Sequence, residues 1–256
     1  CALSDKTTDE LLDLYSDLVT IGTIGDIVSL TGENRAIVKH GLKILNKTTR
    51  PGVKALKQIA GVDGKEINAS TVAFSLVPRS NAIGRISLAE EAFRLLISEE
   101  EGNALFYAQT VDSSNVTRQD VEKIISGEAE AQIRNNPEML YDRVLIFSGE
   151  NWHGGVIGIV AARLTQKYGK PCIVITDDGK EAKGSGRSIE GFSLYEAINS
   201  ASHLLNHFGG HTLAAGFGLD SEKIDDFKKA IQDYAKTVEM PFATVALDCK
   251  LKPEFI

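Results

Sequence analysis

Lys183-Gly184-Ser185-Gly186-Arg187-Ser188 gathers two cations, two hydroxyls and two glycines into six residues. Backbone amides, hydroxyl donors and a planar guanidinium fork all suit a phosphate. The order Gly-x4-Gly-Lys-Ser/Thr of a P-loop is absent, and a plain hairpin loop is the equally weighted structural reading. Gly209-Gly210-His211-Thr212-Leu213-Ala214-Ala215-Gly216 is a second small-residue segment. There Gly209 reads as a helix C-cap, and His211 as a donor to phosphate, an acid or a capping residue. In Trp152-His153-Gly154-Gly155-Val156-Ile157-Gly158 the glycines let backbone N–H groups approach a ligand at a helix N-terminus. The lone Trp beside His153 could stack on a base or simply pack.

Further upstream, Asp26 follows a strand-like apolar run among Gly22, Thr23 and Gly25. A carboxylate at the carboxyl end of a buried strand can hold a metal. On spacing alone, a cap or turn residue is the stronger reading. Arg79, Asn81 and Arg85 lie in Pro78-Arg-Ser-Asn-Ala-Ile-Gly-Arg85, read as an irregular loop fit for phosphate or carboxylate recognition, or for pairing with Glu90 and Glu91. His203 and His207 stand at i and i+4 on an expected helix, a possible metal pair outweighed by a plain surface edge. Asp177-Asp178-Gly179 reads as a solvated turn.

These residues must be positioned by two kinds of chain. The first 135 residues pattern as helices: Thr7–Val19 with a Thr cap and Glu10 behind it, Asn34–Lys47, Val53–Ala60, Ile67–Ser75 capped at Asn68, Leu88–Ile97, and a long connector from Asn103 to about Asn135. From Arg143 onward strands and helices alternate: strands at Arg143–Ser148, Pro171–Thr176, Lys183–Ile189 and Ala214–Leu219, helices at Val156–Tyr168, Leu194–Phe208 and Ser221–Thr237. That alternation implies an α/β sheet with helices packed on it, after a boundary near Asn136. A last alternating run, Val245 to Leu251, reads as a half-buried strand. It ends close to Ile256, and the chain starts at Cys1 rather than Met, so it reads as a piece of a longer protein.

The composition is that of an ordinary globular protein, 43% hydrophobic and 25% charged over 256 residues. Twenty-eight Lys and Arg against 35 Asp and Glu give a net charge of −7, which excludes a histone-like cationic coat but not a local basic cleft. Three cysteines without a CxxC spacing argue against a disulfide scaffold or zinc cluster. No stretch of about 18 apolar residues suggests a membrane span, and no signal-peptide pattern opens the chain, so a cytoplasmic protein is expected.

Taken in order, the segments Gly22–Arg35, Pro78–Arg85, Trp152–Gly158, Gly184–Ser188 and Gly209–Gly216 resemble the RecJ-type single-strand exonucleases of the DHH phosphoesterase superfamily, over about Leu11 to Leu251. The resemblance implies a Mg²⁺- or Mn²⁺-dependent enzyme that hydrolyses single-stranded DNA from its 5′ end in repair and recombination. A single-strand-binding protein or a helicase is an implied partner. It further implies a mostly helical remnant of the DHH domain (1–75), cleft loop and connecting helices (76–136), a mixed-sheet DHH-associated substrate domain (137–238) and the start of an OB-fold (239–256). Asp26 would be a metal ligand. Arg79, Asn81 and Arg85 would line the cleft, while His153, Ser185, Arg187, Ser188, Gly209, Gly210 and His211 would hold substrate, with Ser185 and Arg187 on the 5′-phosphate.

The departures carry weight. No Asp-His-His triplet occurs, and the paired aspartates of the family's earlier motifs are missing, so these residues alone are expected to be inactive. Val77 stands where the family usually has Gly, and Gly154 where a longer polar residue is common. Two other readings compete: a small DHH phosphodiesterase for short RNA or cyclic dinucleotides, and a non-catalytic nucleic-acid-binding homologue.

Overall fold

The computed structural model of the chain describes residues 5–241. The run Val245–Leu251, and with it nearly all of the expected OB-fold start, lies outside the described residues, as do Cys1 and Cys249. The chain divides into two compact units, 1–120 and 121–256.

The first unit is helical. Helix α1 (Thr8–Gly25) opens with a reciprocal capping box: the Glu10 amide donates to Thr7 Oγ1 at 3.3 Å, and the Thr7 amide donates to Glu10 Oε2 at 2.7 Å. The expected strand-like run after Val19 is the last two turns of this helix. Its β-branched residues have low helix propensity, but Ser16, Asp17, Thr20, Ile21 and Ile24 form one buried helical stripe, and tertiary packing decides. Asp26 therefore caps a helix C-terminus, its amide donating to Gly22 O, rather than ending a strand.

Helix α2 (Gly32–Lys47) lies against α1, and α3 (Pro51–Ile59) starts on a proline at N1. A buried Asp17 ties this corner together. Its carboxylate accepts from Thr48 Oγ1 at 2.9 Å, Arg50 Nε at 3.2 Å and the Leu18 amide at 2.8 Å. The Pro78–Arg85 segment is a helix, not a loop. Helix α4 (Ala69–Thr71), capped by Asn68, runs through a π-helical turn (Val72–Leu76) into α5 (Val77–Ile86). Pro78 looks like a breaker, but it falls in the first turn of α5, where its missing N–H is tolerated beside the π turn. Helix α6 (Glu90–Ile97) and the 35-residue α7 (Glu101–Asn135) follow. Ile21, Leu45, Leu56, Leu76, Ile83, Leu95 and Val111 form the core of this unit.

The division falls inside α7, at Asp120/Val121. The second half of that helix is claimed by the second unit: Gln132 Nε2 donates to Ser148 O at 2.7 Å, and Glu122 and Glu130 pair with Arg163 and Lys167. That unit is built on one five-stranded mixed sheet in the order β1-β2-β3-β5-β4. Strands β1 (Leu145–Glu150) and β2 (Cys172–Asp177) are parallel and joined by α8 (Gly154–Tyr168). Strand β3 (Glu181–Arg187) returns antiparallel after the Asp177-Asp178-Gly179 turn. There the Lys180 and Glu181 amides both donate to Asp178 Oδ1 and hold its carboxyl below the usual range. Strands β4 (Leu205–His211) and β5 (Ala214–Asp220) form a hairpin, with β5 against β3. Helix α8 lies against β2 and β3. The other face buries Ile173, Ile175, Phe217 and Leu219 with α9 (Leu194–Ser200) and α10 (Ile224–Thr237).

One expectation fails here. The helix expected over Leu194–Phe208 stops at Ser200, and a 3₁₀ turn (Ser202–Leu204) hands over to β4. Consecutive Gly209 and Gly210 would weaken a helix by about 1 kcal/mol each relative to Ala, whereas Leu205–His211 finds a ladder partner in β5. His203 and His207 consequently share no helix face, and Gly209 caps no helix. The strand expected over Lys183–Ile189 is present as β3, an inner strand, and the alternative reading of Lys183–Ser188 as a hairpin loop falls away.

The α1–α2 crossing allows a direct check. A Cβ on Gly41 would overlap Thr20 Oγ1 and Ser16 O, whereas one on Gly22 would meet nothing within 4 Å. Gly41→Ala is expected to lower unfolding free energy by about 1–3 kcal/mol. Gly22→Ala is expected to be neutral or stabilising by up to about 1 kcal/mol. Urea titration of the two variants compares them, and equal midpoints would refute the close crossing.

Candidate functional site

Side chains directly opposite one another on antiparallel strands share a face. The registers of β3, β5 and β4 therefore lay out three rows on one side of the sheet. Lys183 faces Gly218, which faces His207; Ser185 faces Gly216, which faces Gly209; Arg187 faces Ala214, which faces His211. Polar groups stand on the two outer strands, and β5 between them carries only Gly, Gly and Ala. The outer rows lie about 10 Å apart, two strand spacings.

The floor of this bay is open. A Cβ on Gly209 would meet nothing within 4 Å, and one on Gly216 would meet only Gly184 O at 3.5 Å. At one end the His207 ring lies over Gly218, occupying the space of a side chain there. Gly210 is required for the hairpin itself: its φ is +149°, and a Cβ would press on Ala214 O and Ala215.

Helix α8 forms one wall. Its Gly158 lies so close to β3 that a Cβ would sit 3.0 Å from Ser185 Oγ and 3.3 Å from an Arg187 terminal nitrogen. Arg187 is held by its own strand, one terminal nitrogen donating to Ser185 Oγ at 3.3 Å and to Gly186 O at 2.8 Å. The guanidinium and hydroxyl are thus pre-paired, which limits the ordering entropy lost when an anion binds. Behind them Cys172, opposite Arg187 on β2, is buried, and burial pushes its thiol up to about 12, so it stays protonated and inert at neutral pH.

The remaining expected residues are scattered. His153 is the N-cap of α8, its Nδ1 accepting from the Gly155 amide at 3.2 Å, which leaves the proton of the neutral ring on Nε2. Ser188 donates its hydroxyl to Phe192 O at 2.8 Å, so that proton is committed to the following loop. Trp152 is 6% exposed, and its Nε1–H donates to Glu128 Oε2 at 2.6 Å. It is a packing residue and offers no stacking face.

In the first unit, Asp26 and Asn81 line one pocket of about 350 Å³ with Ser80, Gly22, Gly25 and apolar Leu18, Ile21, Val77 and Leu96. Arg79 is directed elsewhere, to Asp112 at 2.8 Å and to Ser75 O. Arg85 follows Asn81 by four residues, one turn on along the exposed side of α5. Asp26 is the one carboxylate lining this pocket, and no group of three or more His, Cys, Asp or Glu that could hold a metal ion occurs among the described residues. Such a donor set does not by itself fit a Mg²⁺ or Mn²⁺ cage, which takes several oxygen ligands.

Sequence reasoning placed Lys183 in a phosphate-suited segment without giving it a contact, and weighed His207 only as half of a metal pair. The signal was available: Lys183-x-Ser185-x-Arg187 and His207-x-Gly209-x-His211 both repeat with period two, the signature of a strand face.

Residues 136–237 match the DHHA1 domain family. The wider chain resembles larger proteins. It is 39% identical over 91% of its length to the single-stranded-DNA-specific exonuclease RecJ of Bacillus subtilis, and 34% identical over 83% to that of Escherichia coli. It superposes on the crystal structure of RecJ in complex with Mn²⁺ from Thermus thermophilus with a TM-score of 0.82, 33% identity and 95% of the chain covered. The chain thus carries a match to the DHHA1 domain and is similar, over most of its length, to part of these RecJ proteins. It spans 29% and 38% of the lengths of the two named relatives and 35% of the Thermus chain.

The lone tryptophan tests the packing assignment. Its emission is expected to be blue-shifted and poorly quenched by iodide in the folded chain. Adding single-stranded DNA should leave it unchanged, and Trp152→Phe should destabilise by about 1–3 kcal/mol through the packing lost around the buried indole. Strong quenching by DNA would refute this role.

Proposed function

We propose that the chain supplies the substrate-gripping domain and one metal carboxylate of a Mg²⁺- or Mn²⁺-dependent exonuclease that degrades single-stranded DNA in the 5′→3′ direction during repair and recombination. The observation that carries this reading is the bay on β3–β5–β4. A pre-paired Arg187 and Ser185, with Lys183 beside them and His207 and His211 opposite, stand around a glycine floor that a strand can approach closely.

Arg187 and Ser185 bind the 5′-terminal phosphate, the guanidinium supplying a planar fork and the hydroxyl a further donor. His211 donates to the next phosphate from the opposite strand, and Gly209 and Gly210 let the backbone approach it. His153, as the cap of α8, orients the first amides of that helix. Asn81 and Arg85 contact substrate from α5, with Arg79 a positioning residue held by Asp112. Asp26 is one ligand of a metal whose other ligands lie outside these 256 residues. The metal, when bound, would stabilise charge on the attacking and leaving oxygens. By themselves the 256 residues bind single strands without turning them over. The protein acts in the cytoplasm, where a helicase or single-strand-binding protein would present its substrate.

The domain assignment follows the same reading: 1–75 the end of a DHH domain, 76–136 the connecting segment, 137–238 the DHH-associated domain and 239–256 the start of an OB-fold. The relatives named above favour this reading over a phosphodiesterase for short RNA or cyclic dinucleotides.

Two experiments test the proposal. Fluorescence anisotropy with 5′-phosphorylated and 5′-hydroxyl single strands at fixed salt should show a preference for phosphate that Arg187→Ala removes, about tenfold or more in affinity. An unchanged preference would sink the role of Arg187. In the longer parent protein, Asp26→Ala should abolish Mn²⁺-dependent release of nucleotides with the fold intact, while the 256-residue chain alone shows none. Turnover by the purified chain, or by the Asp26→Ala parent, would overturn the metal assignment.

A further inference from the structure

A single strand has bases as well as phosphates, and the bay offers the bases no surface. Its three rows carry no Phe, Tyr or Trp, and Trp152 is buried. Stacking on an exposed aromatic ring is the sequence-tolerant contact for such a strand. Phe74 is 80% exposed, at the middle of the π-helical turn Val72–Leu76 that leads into α5. Val72 and Leu76, two residues to either side, are fully buried, so the ring stands on the opposite side of the turn, away from the core.

The turn is pinned at both ends. Asn68 caps it, its side chain accepting from the Thr71 amide at 2.9 Å, and the Val77 amide donates to Val72 O across the wide turn. Arg79 donates to Ser75 O at 2.6 Å and to Asp112 at 2.8 Å. Pro78 has no amide to give the carbonyl of Phe74, and a π turn takes up such a gap; single π turns inside helices are frequent at functional sites.

Counting on from the ring by four, three and four residues gives Pro78, Asn81 and Arg85, the spacing of one helix face. Asn81 and Arg85 are exposed, as that face requires. The stripe runs from an aromatic ring to an amide that lines the Asp26 pocket, about 10 Å along the axis, and on to a guanidinium. The other exposed aromatic side chains among the described residues, Tyr15, Phe93, Phe106, Tyr141 and Tyr195, stand on other elements, and Phe106 packs edge-on against Tyr107.

We infer that Phe74 is a stacking platform for a base of a single strand that runs along α5 past Asn81. The inference rests on the reading of the chain as a grip for single strands and adds a contact in the first unit. A flat ring without polar atoms accepts any of the four bases, so the contact adds affinity without sequence preference. Being uncharged, it displaces no counterions and leaves the salt dependence of binding unaltered.

Fluorescence anisotropy of the 256-residue chain with a 5′-hydroxyl oligothymidylate at several salt concentrations tests it, because a strand without a terminal phosphate takes the Arg187 contact out of the comparison. Phe74→Ala is expected to weaken binding about tenfold with the salt slope unchanged, Phe74→Tyr to keep it, and Phe74→Leu to behave like Phe74→Ala. A strand of abasic nucleotides should bind the unaltered chain and Phe74→Ala alike. Urea midpoints should stay level across the variants, since the side chain is exposed. Phe74→Trp adds a direct readout: its emission should be quenched by the strand, while the buried Trp152 does not respond. Equal affinity of Phe74→Ala and the unaltered chain overturns the proposal. So does full retention by Phe74→Leu, which would mark the ring as an apolar contact for another protein segment. No measurable binding of 5′-hydroxyl strands overturns it as well, and the bay reading survives that result if 5′-phosphorylated strands still bind through Arg187.

Discussion

The second unit depends on a strand that can carry almost nothing on its inner face. Gly184 lies under the Phe217 ring and Gly186 under Leu194, so any larger residue at either position would drive the sheet and its helices apart. With that face reduced to glycine, Phe217 drops into the core against Phe227 at a ring separation of 4.4 Å. The alternation that empties the inner face also sends Lys183, Ser185 and Arg187 to the other. Core packing and ligand chemistry are therefore two consequences of one period-two pattern.

The same logic explains what could be read from the sequence. Helices with a clear cap and stripe were legible: Thr7 with Glu10 announces α1, Asn68 announces α4, and the position of β3 follows from its own residues. What misled was small-residue chemistry. Glycines in Lys183–Arg187 and in Gly209–Gly210 carry the signature of loops, yet they belong to strands, and at Gly184, Gly186 and Gly210 neighbouring atoms approach too closely for a side chain. Pro78 carries the signature of a break, yet a π turn absorbs it. For Gly184 the deciding contact is with Phe217, far along the chain, and local pattern holds no trace of it.

The site residues divide along the same line. Ser185, Arg187 and His211 were visible because their types suit phosphate and they stand among glycines. Lys183 and His207 join them only through strand register, and His207 had been placed on a helix. Asp26 was legible as a carboxylate and, on spacing, as a cap or turn residue, but not as lining a pocket with Asn81.

A net charge of −7 is compatible with gripping a polyanion because the cations are concentrated where acids are sparse. In the three rows of the bay β3 presents Lys183 and Arg187, and β5 and β4 present glycine, alanine and histidine; carboxylates begin only in the next row, where Glu181 faces Asp220. Elsewhere many cations are neutralised locally, as Arg163 is by Glu122, Lys167 by Glu130 and Lys236 by Asp233. Such pairing leaves little long-range attraction, so a strand would be held by a few short-range contacts rather than by a diffuse field. Affinity built that way releases few counterions and depends only moderately on salt, in contrast to a cationic coat. It also favours a chain end over a chain interior, because a terminal phosphate offers an additional charge and an additional free oxygen to the same few donors.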